Sequence, residues 1–552
     1  MRPDASTDDA AADYQSHIYD TADSALLDGA PRRPKSDHVT SPASFLRQML
    51  FFGRHTWHTA TRMSRPALLR IVFNFSEGGL ELRSTAWLDG LRGLAAFEVF
   101  VFHYCDGWFD RTLAWGEGPH AGTNWYYLPF FRTFFNSGDS AVCLFFAISG
   151  YALSHKMLIQ MRRSQFDRLL STLSSSIFRR GIRLYTPVFV ETLLLMLLTR
   201  TFDLPKPAVY EAAPTFSMEV STWFWSFVWM LLPIPRGDNW GRRLNRYDGG
   251  ISWTIPLEYY GSLQVYMAFL FLCRIKSIWI RRLLTFIWII QRIFRDDWAS
   301  TQFLLGMTFA DYQVEREFAE KLGNQDRWQT DKSNVSWLPR RKFVLGALFA
   351  FGFYLSGLPG AHWVNEDKAT QLVQSRFFYD WITQPWAAMG LYENANPDRY
   401  LMCFASLCCL VAIGEMPSLK RITETRLVQY LGKISFGLYL CHIFLRAWLT
   451  PWKSFCLILT GMDPEQPSTG SHAQLLVAYI VMMGPAIAIN FIAAGLFERL
   501  LDKPSVNLGR SFEMWCLSWG QDIAIEATPQ SVPLQDVNNS WAHEADLPDR
   551  RS

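Results

Sequence analysis

Long apolar blocks alternate with charged connectors along this chain, and aromatic residues crowd the block ends. The blocks cover residues 87–107, 138–158, 184–201, 222–234, 252–274, 278–294, 301–313, 342–359, 399–415, 431–450 and 473–500. Blocks of about 20 apolar residues flanked by Trp and Tyr are the pattern of membrane-spanning helices with aromatic belts. The pattern predicts an all-α fold, a polytopic transmembrane bundle of about 10–11 helices. The block 222–234 offers only about 20 Å of helix against a core of about 30 Å, which favours a re-entrant segment over a span.

Charge placement sets the expected orientation and domain plan. The connector 161–183 carries six Arg and one acid, Asp167, so it is expected on the cytoplasmic side, and with it the N-terminus two spans earlier. Beyond 222–234 the two readings of that block swap the sides of Arg236, Arg242, Arg243 and Arg246 and of Arg274, Lys276, Arg281 and Arg282, so topology stays open there. Residues 1–42 read as a disordered cytosolic tail, with seven Asp against one Arg in the first thirty, the wrong charge for a signal peptide. Residues 43–84, with Arg54, Arg62, Arg65 and Arg70, read as an amphipathic interfacial region or as an ordinary loop. The transmembrane domain then runs over 85–504, with a hydrophilic loop at 314–341 and an aromatic-rich connector at 360–398, and a polar tail over 505–552.

Composition changes this picture little. The 23 Trp and 42 Phe agree with membrane belts, and a net charge of +3 says nothing about a membrane protein, whose local Arg placement matters more. Arg clusters that adjoin apolar spans argue against a nucleic-acid binder. The nine Cys sit mostly inside apolar blocks without CxxC or zinc-ligand spacing, and are expected as small packing residues, with no metal site.

The first block raises the question of chemistry. Arg92 and His103 stand eleven residues apart, which places both on one helix face about 16 Å apart along the axis. They are too distant to pair, and form two polar stations on one stripe. Ionisable residues in a membrane default to functional candidates, although Arg92 could also snorkel to lipid phosphates and His103 could be a packing residue near the far interface. Glu98 points to another face and is expected only as a structural partner.

Leu88-Asp89-Gly90-Leu91-Arg92-Gly93-Leu94-Ala95-Ala96, followed by His103, resembles the opening helix of the acyltransferase-3 family of multi-pass membrane enzymes. The resemblance continues in order. Phe145-Phe146-Ala147-Ile148-Ser149-Gly150, Arg179-Arg180-Gly181-Ile182-Arg183-Leu184-Tyr185-Thr186-Pro187 and Trp253-Thr254-Ile255-Pro256-Leu257-Glu258-Tyr259 are similar to its next three elements. Phe303-Leu304-Leu305-Gly306-Met307, then Leu431-Gly432-Lys433-Ile434-Ser435-Phe436-Gly437-Leu438-Tyr439-Leu440-Cys441-His442, and finally Glu498 with Lys503-Pro504 look like the later ones. Pro256 and the loops at 314–341 and 360–398 depart from the family pattern, which leaves acceptor specificity open.

The resemblance implies an O-acyltransferase that moves an acyl group, acetyl by family frequency, from acyl-CoA to a hydroxyl-bearing acceptor in the bilayer, with no permanently bound cofactor. It implies His103 as general base, a role suited to an imidazole titrating near neutrality. Arg180 and Arg183 are expected to hold the anionic donor at the cytoplasmic rim and Arg92 to catch it lower down, where its pantetheine arm enters, on a helix face that leads it to His103, or the connector arginines are ordinary positive-inside charge. Glu258 is expected to fix an imidazole or bind acceptor hydroxyls, or to be a buried structural carboxylate. Tyr439 and His442 are expected on the acceptor side. Ser149 lacks the context of a nucleophile elbow and is expected, with Gly150, to permit close packing. The alternative function is a non-catalytic transporter or flippase, and the membrane, endoplasmic reticulum or plasma membrane, is left open.

Overall fold

The computed structural model describes residues 84–519, except 112, 114, 117–123, 203, 206, 208–211, 232–246, 322–336, 360–378, 380, 383–397 and 466–469. The tail 1–42 and nearly all of the interfacial region 43–84 therefore lie outside the described residues. Two units divide the chain: residues 51–513 hold every contact discussed below, and the described part of the second, residues 1–50 and 514–552, is the end of the last helix.

Every regular element among the described residues is helical. The helices of seven residues or more are, in chain order, α1 (Ala86–Tyr104), α2 (Gly138–Arg162), α3 (Phe166–Phe202), α4 (Phe216–Leu231), α5 (Thr254–Leu272), α6 (Ile278–Phe294) and α7 (Trp298–Lys321). There follow α8 (Trp337–Ser356), α9 (Asp398–Glu415), α10 (Pro417–Thr423), α11 (Arg426–Trp448), α12 (Thr450–Leu459), α13 (His472–Phe497) and, after a π turn at Glu498–Asp502, α14 (Lys503–Ser518). Each apolar block overlaps one of α1–α9, α11 or α13.

By length and composition alone, α2, α3, α11 and the run His472–Ser518 can each cross a membrane, while α9 and α10, bent by 101° where they join, form either a broken span or a re-entrant loop. The other blocks form helices that are shorter or more polar; α1, for example, carries Asp89, Arg92 and Glu98 within 19 residues. Trp279, Leu283, Phe286 and Ile287 on α6 and Val477 and Ile480 on α13 are exposed, an apolar exterior suited to hydrocarbon.

Three stretches depart from the sequence reading. The Arg-rich connector 161–183 is mostly the first half of α3, so its arginines sit at fixed helical positions. Residues 314–321 continue α7 instead of starting a loop. The polar tail predicted from 505 begins as α14, whose Arg179–Glu513 pair at 3.2 Å and Phe178–Phe512 stacking tie it to α3.

Glycines set two close helix contacts. A Cβ on Gly93 would stand 2.2 Å from the Gly432 nitrogen, and one on Gly432 would stand 2.3 Å from the Asp89 oxygen, so α1 and α11 touch backbone to backbone. Gly150 of α2 and Gly306 of α7 interlock in the same way, each within 2.0 Å of a facing carbonyl oxygen if given a Cβ. With little hydrophobic force between helices in lipid, such small-residue contacts supply the van der Waals attraction that holds them together. The turn before α5 is built by Asp248, whose carboxylate accepts the Gly250 and Ser252 amides at 2.8 and 3.3 Å, while Gly249 and Gly250 take φ of 71° and 84°. It delivers Thr254 and Glu258 into the interior.

Candidate active site

The polar residues of α1 open onto two different environments. At the Arg92 end, a cavity of ≈ 330 Å³ is enclosed by α1, α2, α3, α5, α11 and the π turn. Arg92, Arg180, Arg183 and Lys433 line it together with Glu258 and Asp502, and four cations against two carboxylates leave an excess of positive charge. Its apolar wall includes Val142, Phe145, Ile148, Leu153 and Phe436, and it ends at Thr254 and Tyr439. That combination suits an anionic head group joined to a less polar arm.

Side-chain contacts hold Arg92 and Arg180 in place. Arg92 donates to the Ser435 hydroxyl and to the Gly432 carbonyl, both at 3.0 Å, and lies 3.3 Å from Asp89. Its side chain is still 38% exposed, and not all of its five N–H donors are used, so donors remain for a ligand. Arg180 pairs with Glu258 and donates to the Ser262 hydroxyl at 2.9 Å, and Ser149 donates to the same Glu258 oxygen at 2.7 Å. Glu258 and Ser262 are four apart on α5, so one face of that helix receives Arg180.

At the other end, His103 sits beside His442 of α11, with ring centroids 5.1 Å apart. His442 is fully buried. Its Nδ1 is 3.1 Å from the Leu438 carbonyl, an acceptor only, so Nδ1 carries the proton. Its Nε2 has no partner among the described residues. The His103 side chain is 20% exposed, and its Nδ1 lies 3.8 Å from Asp106 Oδ2.

Tyr439 lines the cavity and lies beside His442. Its hydroxyl shares a hydrogen bond of 2.9 Å with Thr254 and donates to the Ile251 carbonyl at 3.1 Å, and its ring is 6.0 Å from that of His442. The cavity lining includes Tyr439 but neither histidine.

The structure thus brings Arg92, Arg180, Arg183, Glu258 and Tyr439 to one cavity and groups His103 with His442 one turn beyond Tyr439. Glu258 accepts from Arg180 and Ser149, and the cavity lining reaches Tyr439 without including either histidine. Ser149, expected only to pack, has its hydroxyl on Glu258. Glu98 accepts from Ser137 at 3.0 Å, a partner across to the start of α2.

Sequence reasoning missed Lys433, Asp502, Asp106 and Arg446. Lys433 stands inside a quoted motif and Asp502 beside another, whereas Asp106 and Arg446 follow His103 and His442 by three and four residues, a helical spacing that could have been tested. Among the described residues, no group of three or more His, Cys, Asp or Glu side chains could hold a metal ion. Seven of the nine Cys are buried, and all are free.

A sequence model of the acyltransferase-3 family, described as an acyltransferase domain, matches residues 85–494. An O-acetyltransferase of Phomopsis amygdali is 28% identical over 382 residues, spanning 65% of this chain and 72% of that protein. An acyltransferase of a Phoma species is 23% identical over 475 residues, spanning 76% of this chain and 94% of its own. An acyltransferase of Cochliobolus lunatus is 24% identical over 476 residues with the same two shares. No solved structure matches.

Proposed function

The chain belongs to the acyltransferase-3 family, and from that premise we propose that this O-acyltransferase takes its acyl group from acyl-CoA and uses His103 as general base. The acceptor is a hydroxyl of a small molecule, glycan or lipid. The observation that carries the reading is the convergence of Arg92, Arg180, Arg183 and Lys433 on one cavity, from which α1 runs on to His103.

The phosphates of the donor lie against the arginines, which offer bidentate charge-assisted donors. The pantetheine arm follows the apolar wall and passes Tyr439 once its bond to Thr254 opens. The acceptor oxygen attacks the thioester carbonyl carbon while its proton moves to His103. The carbon–sulfur bond then breaks, and the departing thiolate recovers that proton from the imidazolium. Direct transfer of this kind needs only a base and positioned reactants. Tyr439 and His442 stand on the acceptor side. Acyl-CoA enters as a co-substrate, with no permanently bound cofactor. The name of the Phomopsis relative supports acetyl as the group moved. The chain works in the endoplasmic reticulum or plasma membrane with its N-terminus cytoplasmic, an orientation that puts the basic cavity on the side where acyl-CoA is made.

The family and its named relatives favour catalysis over the transporter alternative. Membranes holding the full chain are incubated with labelled acetyl-CoA, and thiol release and acylated product are followed. Turnover that is lost in His103→Ala, with normal protein in the membrane, is the expected result; full turnover in that variant overturns the assignment.

A further inference from the structure

Among the described residues, only one of the two imidazoles at the far end of α1 has a carboxylate beside it. Asp106 Oδ2 faces His103 Nδ1 at 3.8 Å, while the Nδ1 of His442 is occupied by the Leu438 carbonyl. The Asp106 carboxylate is clamped from two directions: Arg111 donates to Oδ1, and Arg446 of α11 donates to Oδ2 at 2.5 Å. The same Arg446 nitrogen reaches the His103 backbone oxygen at 2.5 Å, so one guanidinium registers the carboxylate against the helix turn that carries the imidazole. Arg111 is fixed in turn by lying 3.7 Å over the Phe102 ring.

We propose that Asp106 is the positioning residue of His103. Its carboxylate accepts the Nδ1 proton, which leaves Nε2 bare to take the acceptor's proton and stabilises the imidazolium that results. The separation of 3.8 Å is longer than a hydrogen bond. Catalytic hydrogen bonds are commonly long in the empty site and tighten when substrate binds. A carboxylate in this relation fixes both tautomer and ring orientation. The inference rests on His103 being the base. A merely structural Asp106 would tie α1 to α11 through Arg446 and leave the imidazole's chemistry untouched.

The test uses the full chain in membranes, with two readouts that need no knowledge of the acceptor. The first is modification of His103 by diethyl pyrocarbonate, followed by mass spectrometry across a pH series; the reagent acylates only neutral imidazole. The charged or titratable groups facing His103 are Asp106 and Arg111 from its own chain segment and Arg446 and His442 from α11. Removing the one anion among them disfavours the imidazolium, so in Asp106→Asn the midpoint should move to lower pH by about one unit. Asp106→Glu, which keeps the carboxylate, should hold the midpoint near that of the unaltered protein. The second readout is thiol release by hydrolysis of acetyl-CoA, water taking the acceptor's place and acetate leaving, for which Asp106→Asn should lower kcat by about 10²-fold or more with KM changed less than about threefold.

An unmoved midpoint with an unaltered kcat overturns the inference. So does failure of the reagent to modify His103 in any variant, because an imidazole closed to an acyl electrophile is not positioned for this reaction. His103→Ala separates the two levels: if it keeps full turnover the base assignment falls, and if it is inactive while Asp106→Asn behaves like the unaltered protein, only the positioning role falls.

Discussion

The two ends of α1 hold charge in opposite ways. At the Arg92 end, Arg92, Arg183 and Lys433 face a cavity with fewer carboxylates than cations, and Arg92 remains 38% exposed. At the His103 end, both guanidinium groups are turned onto one carboxylate, Asp106, and the neighbouring His442 is fully buried. Surplus charge in a membrane protein is costly and persists where something binds; matched charge fixes geometry. On the proposed reading, one end receives an anion and the other holds an imidazole still.

The widest break in this comparison is expected from His103→Ala, which should lower thiol release from acetyl-CoA by about 10²–10⁴-fold without lowering the amount of protein in the membrane. A comparable loss from an Arg92-end variant, with no change in KM, would erase the distinction. Arg183→Ala comes next: losing a charge-assisted donor of about 1.5–3 kcal/mol should raise the KM for acetyl-CoA by about 10–100-fold and leave kcat nearly unchanged. Gly93→Ala forces its new methyl against Gly432 and should cost about 1–3 kcal/mol, read as a lower melting temperature in detergent with both kcat and KM impaired. Tyr439→Phe should have the smallest effect. It deletes hydrogen bonds to Thr254 and Ile251 that are worth about 0.5–1.5 kcal/mol each, and steady-state kinetics should register a change of less than about tenfold.

Much of this was legible in the residues because lipid imposes a simple rule on sequence. A spanning segment must satisfy its own backbone, so apolar blocks mark helices, and every block overlaps one. The shared face of Arg92 and His103 follows from helix periodicity alone. What could not be read were the contacts made across the bundle. Glu258 in isolation is a carboxylate in an apolar run, and only the packing of α3 on α5 hands it to Arg180. Asp106 falls just past the end of α1, in a stretch that reads as connector, and acquires meaning when α11 brings Arg446 to it. The helix α14 escaped notice because its composition is polar, and its place depends on contacts with Phe178 and Arg179.

The main-chain contact at Gly93 and Gly432 has a further consequence for donor choice. The guanidinium at one end and the imidazoles at the other ride on the same two rods, pinned at a point where neither rod has a side chain to yield. On the proposed function, the span between them works as a fixed gauge: a donor whose arm is the wrong length has to fold or stretch, because the protein at that joint cannot.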